Sequence, residues 1–207
     1  MITMLELIIF AATVILLIIV LRKLPLEKEV VKKLAKEARE LDHDEDASEK
    51  SEEDYEDEDL LGHADKLAQD GQYTKAEKLY LKLITKDPQA AGLYNKLALV
   101  YLGNKEYKDA AKALEQALQI EPDNDTFYNN FGLLFYQQGM YDESVESYEK
   151  SIAINNKVAS RFMNLGLAYF MSKKYRKAAD AYEKALILEP HNEEYKRLLA
   201  DAEEKLK

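Results

Sequence analysis

"KLALVYLGNKEYKDAAKALEQALQIEP", residues 96–122, returns as "NLGLAYFMSKKYRKAADAYEKALILEP" at 164–190, so the chain repeats itself. Repetition is weighed before local propensity, because its period decides the architecture. Anchoring on Ala76, Ala110, Ser144 and Ala178 gives a constant step of 34 residues. Tyr73, Tyr107, Tyr141 and Tyr175 stand three residues before these anchors, and Tyr80, Leu114, Tyr148 and Tyr182 stand four after. Ala64, Ala98, Gly132 and Gly166 come twelve before, and Pro88, Pro122, Asn156 and Pro190 twelve after. Each unit therefore reads as two antiparallel helices. The small residue allows close approach, the large Tyr or Leu fills the space between, and proline ends the second helix.

These landmarks resemble the tetratricopeptide repeat family, whose unit has the same length and the same alternation of small and aromatic positions. The resemblance spans four units, 57–90, 91–124, 125–158 and 159–192. The third unit departs from it, with Ser144 and Ser151 where the family usually has alanine and Asn156 where it has proline. Beyond it, "EEYKRLLADAEEKLK" places Tyr195, Leu198, Leu199, Ala202 and Leu206 on one stripe with charges elsewhere, as a solvating end helix over 193–206 should. The resemblance implies a right-handed superhelix over 59–207. The expected fold class is all-α: a tetratricopeptide superhelical solenoid of four helix-turn-helix repeats plus a C-terminal capping helix, preceded by a single transmembrane helix.

That transmembrane helix is read from the N-terminus. Residues 7–21, "LIIFAATVILLIIVL", carry no charge, and only Glu6 interrupts the apolar stretch from Met1. About twenty-one helical residues rise about 31 Å, close to the hydrocarbon thickness of a bilayer. A cleaved signal peptide would have a basic segment before the run and a small-residue cleavage site after it, and neither is present. Instead Arg22, Lys23, Lys28, Lys32 and Lys33 follow the run. The expectation is a lipid-spanning anchor over 1–22, with the N-terminus outside and the repeats in the cytoplasm. The plan resembles small bacterial inner-membrane proteins of the repeat family.

Two unlike segments separate anchor from repeats. Residues 23–41 set Leu26, Val30, Leu34, Ala38 and Leu41 at helical spacing among lysines, which predicts an amphipathic juxtamembrane helix. Residues 42–58, within "DHDEDASEKSEEDYEDED", form an acidic linker that cannot bury apolar surface and is expected to be disordered. The formal charge of -10 is concentrated in this linker, and the repeats are nearly neutral.

By analogy with the family, the first helix of each unit lines a concave, peptide-binding face through its second, fifth, sixth, ninth and twelfth positions. These give the candidate groove residues Asn95, Lys96, Leu99, Asn129, Asn130, Leu133, Tyr136, Met163, Asn164, Leu167 and Phe170, with Leu102 at one twelfth position. Asparagine amides both donate to and accept from a peptide backbone, while leucines and aromatics form pockets for its side chains. Some family members hold a C-terminal carboxylate with a Lys and Asn clamp. Here Leu61 and Asp65 occupy its first-unit places, so that mode is disfavoured.

Other chemistry finds little footing. The net acidic balance argues against nucleic acid, whose phosphates require clustered Lys and Arg. There is no cysteine, and His43, His63 and His191 are not paired by local spacing. Asp123 and Asp125 flank Asn124 without the glycine and terminal glutamate of a calcium loop, and no glycine-rich phosphate loop occurs. No catalytic residue, metal or cofactor is expected. The function expected is a membrane-anchored adaptor that binds peptide segments of partner proteins and assists assembly of a membrane or envelope complex. The alternatives are a self-associating structural subunit and an organelle protein-import receptor.

Overall fold

The computed structural model describes residues 57–207, and these form nine α-helices and no strand. They are α1 Asp57–Gln69, α2 Tyr73–Lys86, α3 Ala91–Gly103, α4 Tyr107–Ile120, α5 Asp125–Gln137, α6 Tyr141–Ile154, α7 Ala159–Met171, α8 Tyr175–Leu188 and α9 Glu193–Glu204. The expected membrane anchor, the juxtamembrane helix and the acidic linker up to residue 56 lie outside the described residues. No helix among the described residues is long and apolar enough to cross a membrane.

Each odd-numbered helix from α1 to α7 pairs with the helix that follows it, and the reversal between them is the same in every unit. Gly71, Lys105, Gly139 and Lys173 adopt left-handed backbone with φ between 60° and 76°. The next amide in each case donates back over the turn: Gln72 to Leu67, Glu106 to Tyr101, Met140 to Phe135 and Lys174 to Tyr169, all at 2.8–2.9 Å. This is the Schellman arrangement, which satisfies carbonyls that the helix end would otherwise leave open. Glycine adopts that conformation freely, whereas lysine bears steric strain there. The second helices end in residues with non-helical backbone, Asp87, Glu121, Asn155 and Glu189, of which Asn155 is extended. Three of these precede proline, which disfavours helical backbone at the residue before it. Asn155 leaves the helix without proline, and its side chain accepts from the Lys157 amide.

The anchors Ala76, Ala110, Ser144 and Ala178 are fully buried at the helix crossings, as are Tyr80, Leu114, Tyr148 and Tyr182 between the helices. Neighbouring units share these cores. Leu97 and Val100 of α3 join Leu79, Tyr80 and Leu83 of α2, and Leu165 and Ala168 of α7 join Val145 and Tyr148 of α6. One helix pair has no such partner surface, so stacking is what completes the apolar core.

The third unit adds hydrogen bonds where serines stand in place of alanine. Ser144 Oγ donates to the Gly132 carbonyl at 2.8 Å, and Ser151 Oγ donates to the Asp125 carbonyl at 2.7 Å. Arg161, buried on α7, forms an ion pair with Asp125 at the start of α5 and donates to the Asn155 carbonyl at 3.3 Å. One side chain thus joins α5, the end of α6 and α7 at the junction where the unit lacks its proline. At the C-terminus α9 buries Tyr195 and Ala202 against the stack. Asn192 caps it by accepting from the amides of Glu194 and Tyr195.

Candidate functional site

Helices α3, α5 and α7 lie side by side, and their fifth and sixth positions meet across neighbouring units. Asn164 Nδ2 donates to Asn129 Oδ1 at 3.2 Å, Asn129 Nδ2 donates to Asn130 Oδ1 at 3.4 Å, and Asn130 Nδ2 donates to Asn95 Oδ1 at 2.6 Å. Four amides from three helices therefore form one directed ladder. The recurrence follows from geometry: a spacing of 35 residues, one more than the period, brings a fifth position beside the sixth position of the next unit.

At the α1 end the ladder gives way to charge. Lys96 Nζ lies 2.8 Å from Asp65 Oδ1, which also accepts from the Tyr80 hydroxyl at 2.6 Å. Burial, reinforced by the Asp65 carboxylate, raises the Tyr80 phenol above its ordinary value, so it stays a donor. Asp65, Ala68, Tyr73, Tyr80, Lys96 and Leu99 line a hollow of about 330 Å³ at this end. Lys96 is one of the candidate groove residues. It lines the hollow with its charge neutralised by a neighbour from the preceding unit.

The remaining candidate residues separate into surface and wall. Leu99 is 41% exposed, and Met171 beside Phe170 is also exposed. Asn95, Asn129, Leu133, Met163, Asn164 and Leu167 are half-buried. Tyr136 and Phe170 pack edge-on against Tyr141 and Tyr175, with ring centroids 5.6 and 5.2 Å apart, so each offers one side to the groove and one to its own unit. Asn130 departs from the expectation that it faces a ligand. It is only 6% exposed, because its amide sits inside the ladder. Leu102 departs too, buried with Leu114 and Leu134 in the core.

No group of acidic and histidine side chains among the described residues could hold a metal ion. His191 is exposed and His63 half-buried, on separate elements. The groove brings together amides, apolar side chains and one internal ion pair, a set suited to holding a chain by contact.

Residues 89–157 and 159–192 match family models described as tetratricopeptide repeat. These matched units are tetratricopeptide repeats. Among solved structures, the tetratricopeptide solenoid is similar to pilF of Pseudomonas aeruginosa, at 25% identity and a TM-score of 0.64, covering 70% of this chain and 67% of that one. It is similar to the Sgt2 TPR domain of Aspergillus fumigatus, at 26% identity and a TM-score of 0.53, covering 56% of this chain and 78% of that one. The first TPR of Spaghetti (RPAP3), solved bound to the HSP90 peptide SRMEEVD, is 22% identical with a TM-score of 0.55, covering 58% of this chain and 95% of that one. At that identity the likeness shows the tetratricopeptide fold alone. No curated protein sequence matches the chain at a significant level.

Proposed function

We infer that this chain is a membrane-anchored tetratricopeptide adaptor that holds peptide segments of partner proteins in its concave groove and so assists assembly of a membrane or envelope complex. The observation that carries the reading is the groove itself: an amide ladder bordered by Leu99, Leu133, Leu167 and Met171, with the charges of Lys96 and Asp65 paired to each other at its α1 end. The Spaghetti (RPAP3) structure supports it as a domain of the same fold that holds a peptide.

Anchoring rests on sequence. The uncharged residues 7–21, followed by Arg22 and Lys23, favour a lipid-embedded segment over 1–22, with its N-terminus outside and the repeats on the cytoplasmic side of a bacterial inner membrane. The juxtamembrane helix over 23–41 and the acidic linker over 42–58 then set how far the groove reaches from the bilayer. Tethering raises the local concentration of partners near the membrane without any additional contact.

The test is cell fractionation followed by affinity purification after crosslinking. The full-length chain is expected in the membrane fraction with a set of associated proteins, and the Leu133→Glu, Leu167→Glu double variant is expected to stay in that fraction and lose the set. Retention of the set by a folded double variant would refute the groove, and a full-length chain in the soluble fraction would refute the anchor.

A second reading, a self-associating structural subunit, draws on the exposed Ile154, Ile187 and Leu188 at the ends of α6 and α8, Ile187 being 76% exposed. It requires a mass that rises with protein concentration. Sedimentation of the full-length chain over a concentration series distinguishes it from the adaptor.

A further inference from the structure

The groove carries information about its own ligand. From Asn95 to Met171 the inward positions of α3, α5 and α7 include one charge, Lys96, and Asp65 neutralises it at 2.8 Å. In a sequence of which 33% is charged, an electroneutral strip crossing three helices is a property of that face and not of the composition. A free carboxylate entering beside Lys96 would compete with Asp65, which takes two of the three ammonium N–H groups and also holds the Tyr80 hydroxyl. An incoming ammonium or guanidinium would find Asp65 already occupied by two donors. Desolvating a charge on a face that offers no counter-charge is costly.

The amide ladder adds a direction. Its three hydrogen bonds run from Asn164 through Asn129 and Asn130 to Asn95. At one end the Asn95 amide nitrogen keeps its donors, and at the other Asn164 Oδ1 keeps its acceptor capacity. One open donor and one open acceptor, two units apart, match the carbonyl and the N–H of a peptide backbone. A helical ligand has those groups closed internally along its length, whereas an extended one presents them.

We propose that the groove takes an internal, uncharged, extended polypeptide segment, with a backbone carbonyl on Asn95, a backbone N–H on Asn164, and apolar side chains against Leu99, Leu133 and Leu167. This rests on the peptide-groove reading above and specifies its ligand class. A chain terminus or a charged tail is excluded by the same electroneutrality.

The test pans a library of random displayed peptides, unbiased in charge and offered both internally and with a free C-terminus, against the purified full-length chain. Synthetic versions of the enriched peptides are then titrated against the chain and against Leu99→Glu, a substitution at an exposed position whose fold is checked by circular dichroism. The expected sequences lack Asp, Glu, Lys and Arg, and they bind equally with free or amidated C-termini. Their Kd is expected to shift less than about twofold between ~50 and ~500 mM salt. Leu99→Glu is expected to weaken them by about tenfold or more, since it replaces an apolar contact with a carboxylate that an uncharged ligand would have to desolvate. Charged or C-terminal peptides that are salt-sensitive yet lost in Leu99→Glu would overturn the ligand class and leave the groove standing. Peptides that bind both proteins equally, or enrichment of none, would overturn the groove together with its ligand.

Discussion

A methyl group built on Gly166 would lie 2.3 Å from Cε1 of the Tyr182 ring, and one on Gly132 would lie 2.5 Å from the ring of Tyr148. In the third and fourth units the aromatic of the second helix therefore rests directly against bare backbone of the first. In the first unit Ala64 holds that place and Tyr80 sends its hydroxyl to Asp65 instead.

Gly166→Ala is expected to lower stability by about 1–3 kcal/mol, because the overpacked ring must shift, despite the better helix propensity of alanine. Gly62→Ala meets nothing within 4 Å and is expected to raise stability by up to about 1 kcal/mol. Urea denaturation of the two variants should give midpoints on opposite sides of the parent. Movement in the same direction would contradict the packing described.

The ladder separates asparagines that look alike in sequence. Asn130 is buried and bonded on both sides, so Asn130→Ala leaves Asn95 without its donor and is expected to cost about 1–3 kcal/mol. Asn164 stands half-buried at the end of the ladder, and Asn164→Ala is expected to cost under about 1 kcal/mol while weakening ligand binding. Paired denaturation and binding measurements check the contrast. Equal losses of stability would mean that the ladder does not act as drawn.

Much of this arrangement is legible in the chain, for a definite reason. The period of 34 and the alternation of Ala or Gly with Tyr or Leu mark positions where helices cross, and a crossing tolerates few sizes. Side-chain pairs between units leave a weaker trace. Asn130 reaches Asn95 and Arg161 reaches Asp125 over 35 and 36 residues, and nothing local to either residue announces its partner. Family analogy therefore placed Asn130, Lys96 and Leu102 on an open surface, where the structure has them bonded or buried. The turn lysines were equally silent. Lys105 and Lys173 adopt the left-handed backbone that Gly71 and Gly139 supply in the other units, and only the register reveals it.

Arg161 joins the third and fourth units where Asn156 replaces proline. Its side chain is 10% exposed and its partner Asp125 19%. Arg161→Ala leaves a largely buried carboxylate unpaired, with an expected cost of about 3 kcal/mol. Hydrogen exchange should show the loss concentrated in α7, α8 and α9, since contacts in a solenoid run between neighbours. A uniform loss over all nine described helices would contradict the local role.

Alkaline pH should unfold the repeats through their tyrosines. Burial, then the Glu77 carboxylate 2.9 Å away, pushes the Tyr101 phenol up to about 12 from its ordinary 10, and burial raises Tyr148 and Tyr182 as well. Above about pH 10 the unfolded chain releases protons that the folded chain keeps, so stability falls as pH rises. The urea midpoint is expected to drop between about pH 10 and 12, less steeply in Tyr101→Phe. A midpoint unchanged over that range would contradict it.

The central claim is that partners occupy the face lined by the amide ladder. Its most direct measurement places a photoreactive phenylalanine analogue at position 133 in the groove, and separately at the exposed position 119 on α4, in the full-length chain expressed in cells. Irradiation should join the chain to other proteins from position 133 and not from position 119. Adducts from position 119 alone, or adducts only between copies of the chain, would contradict it.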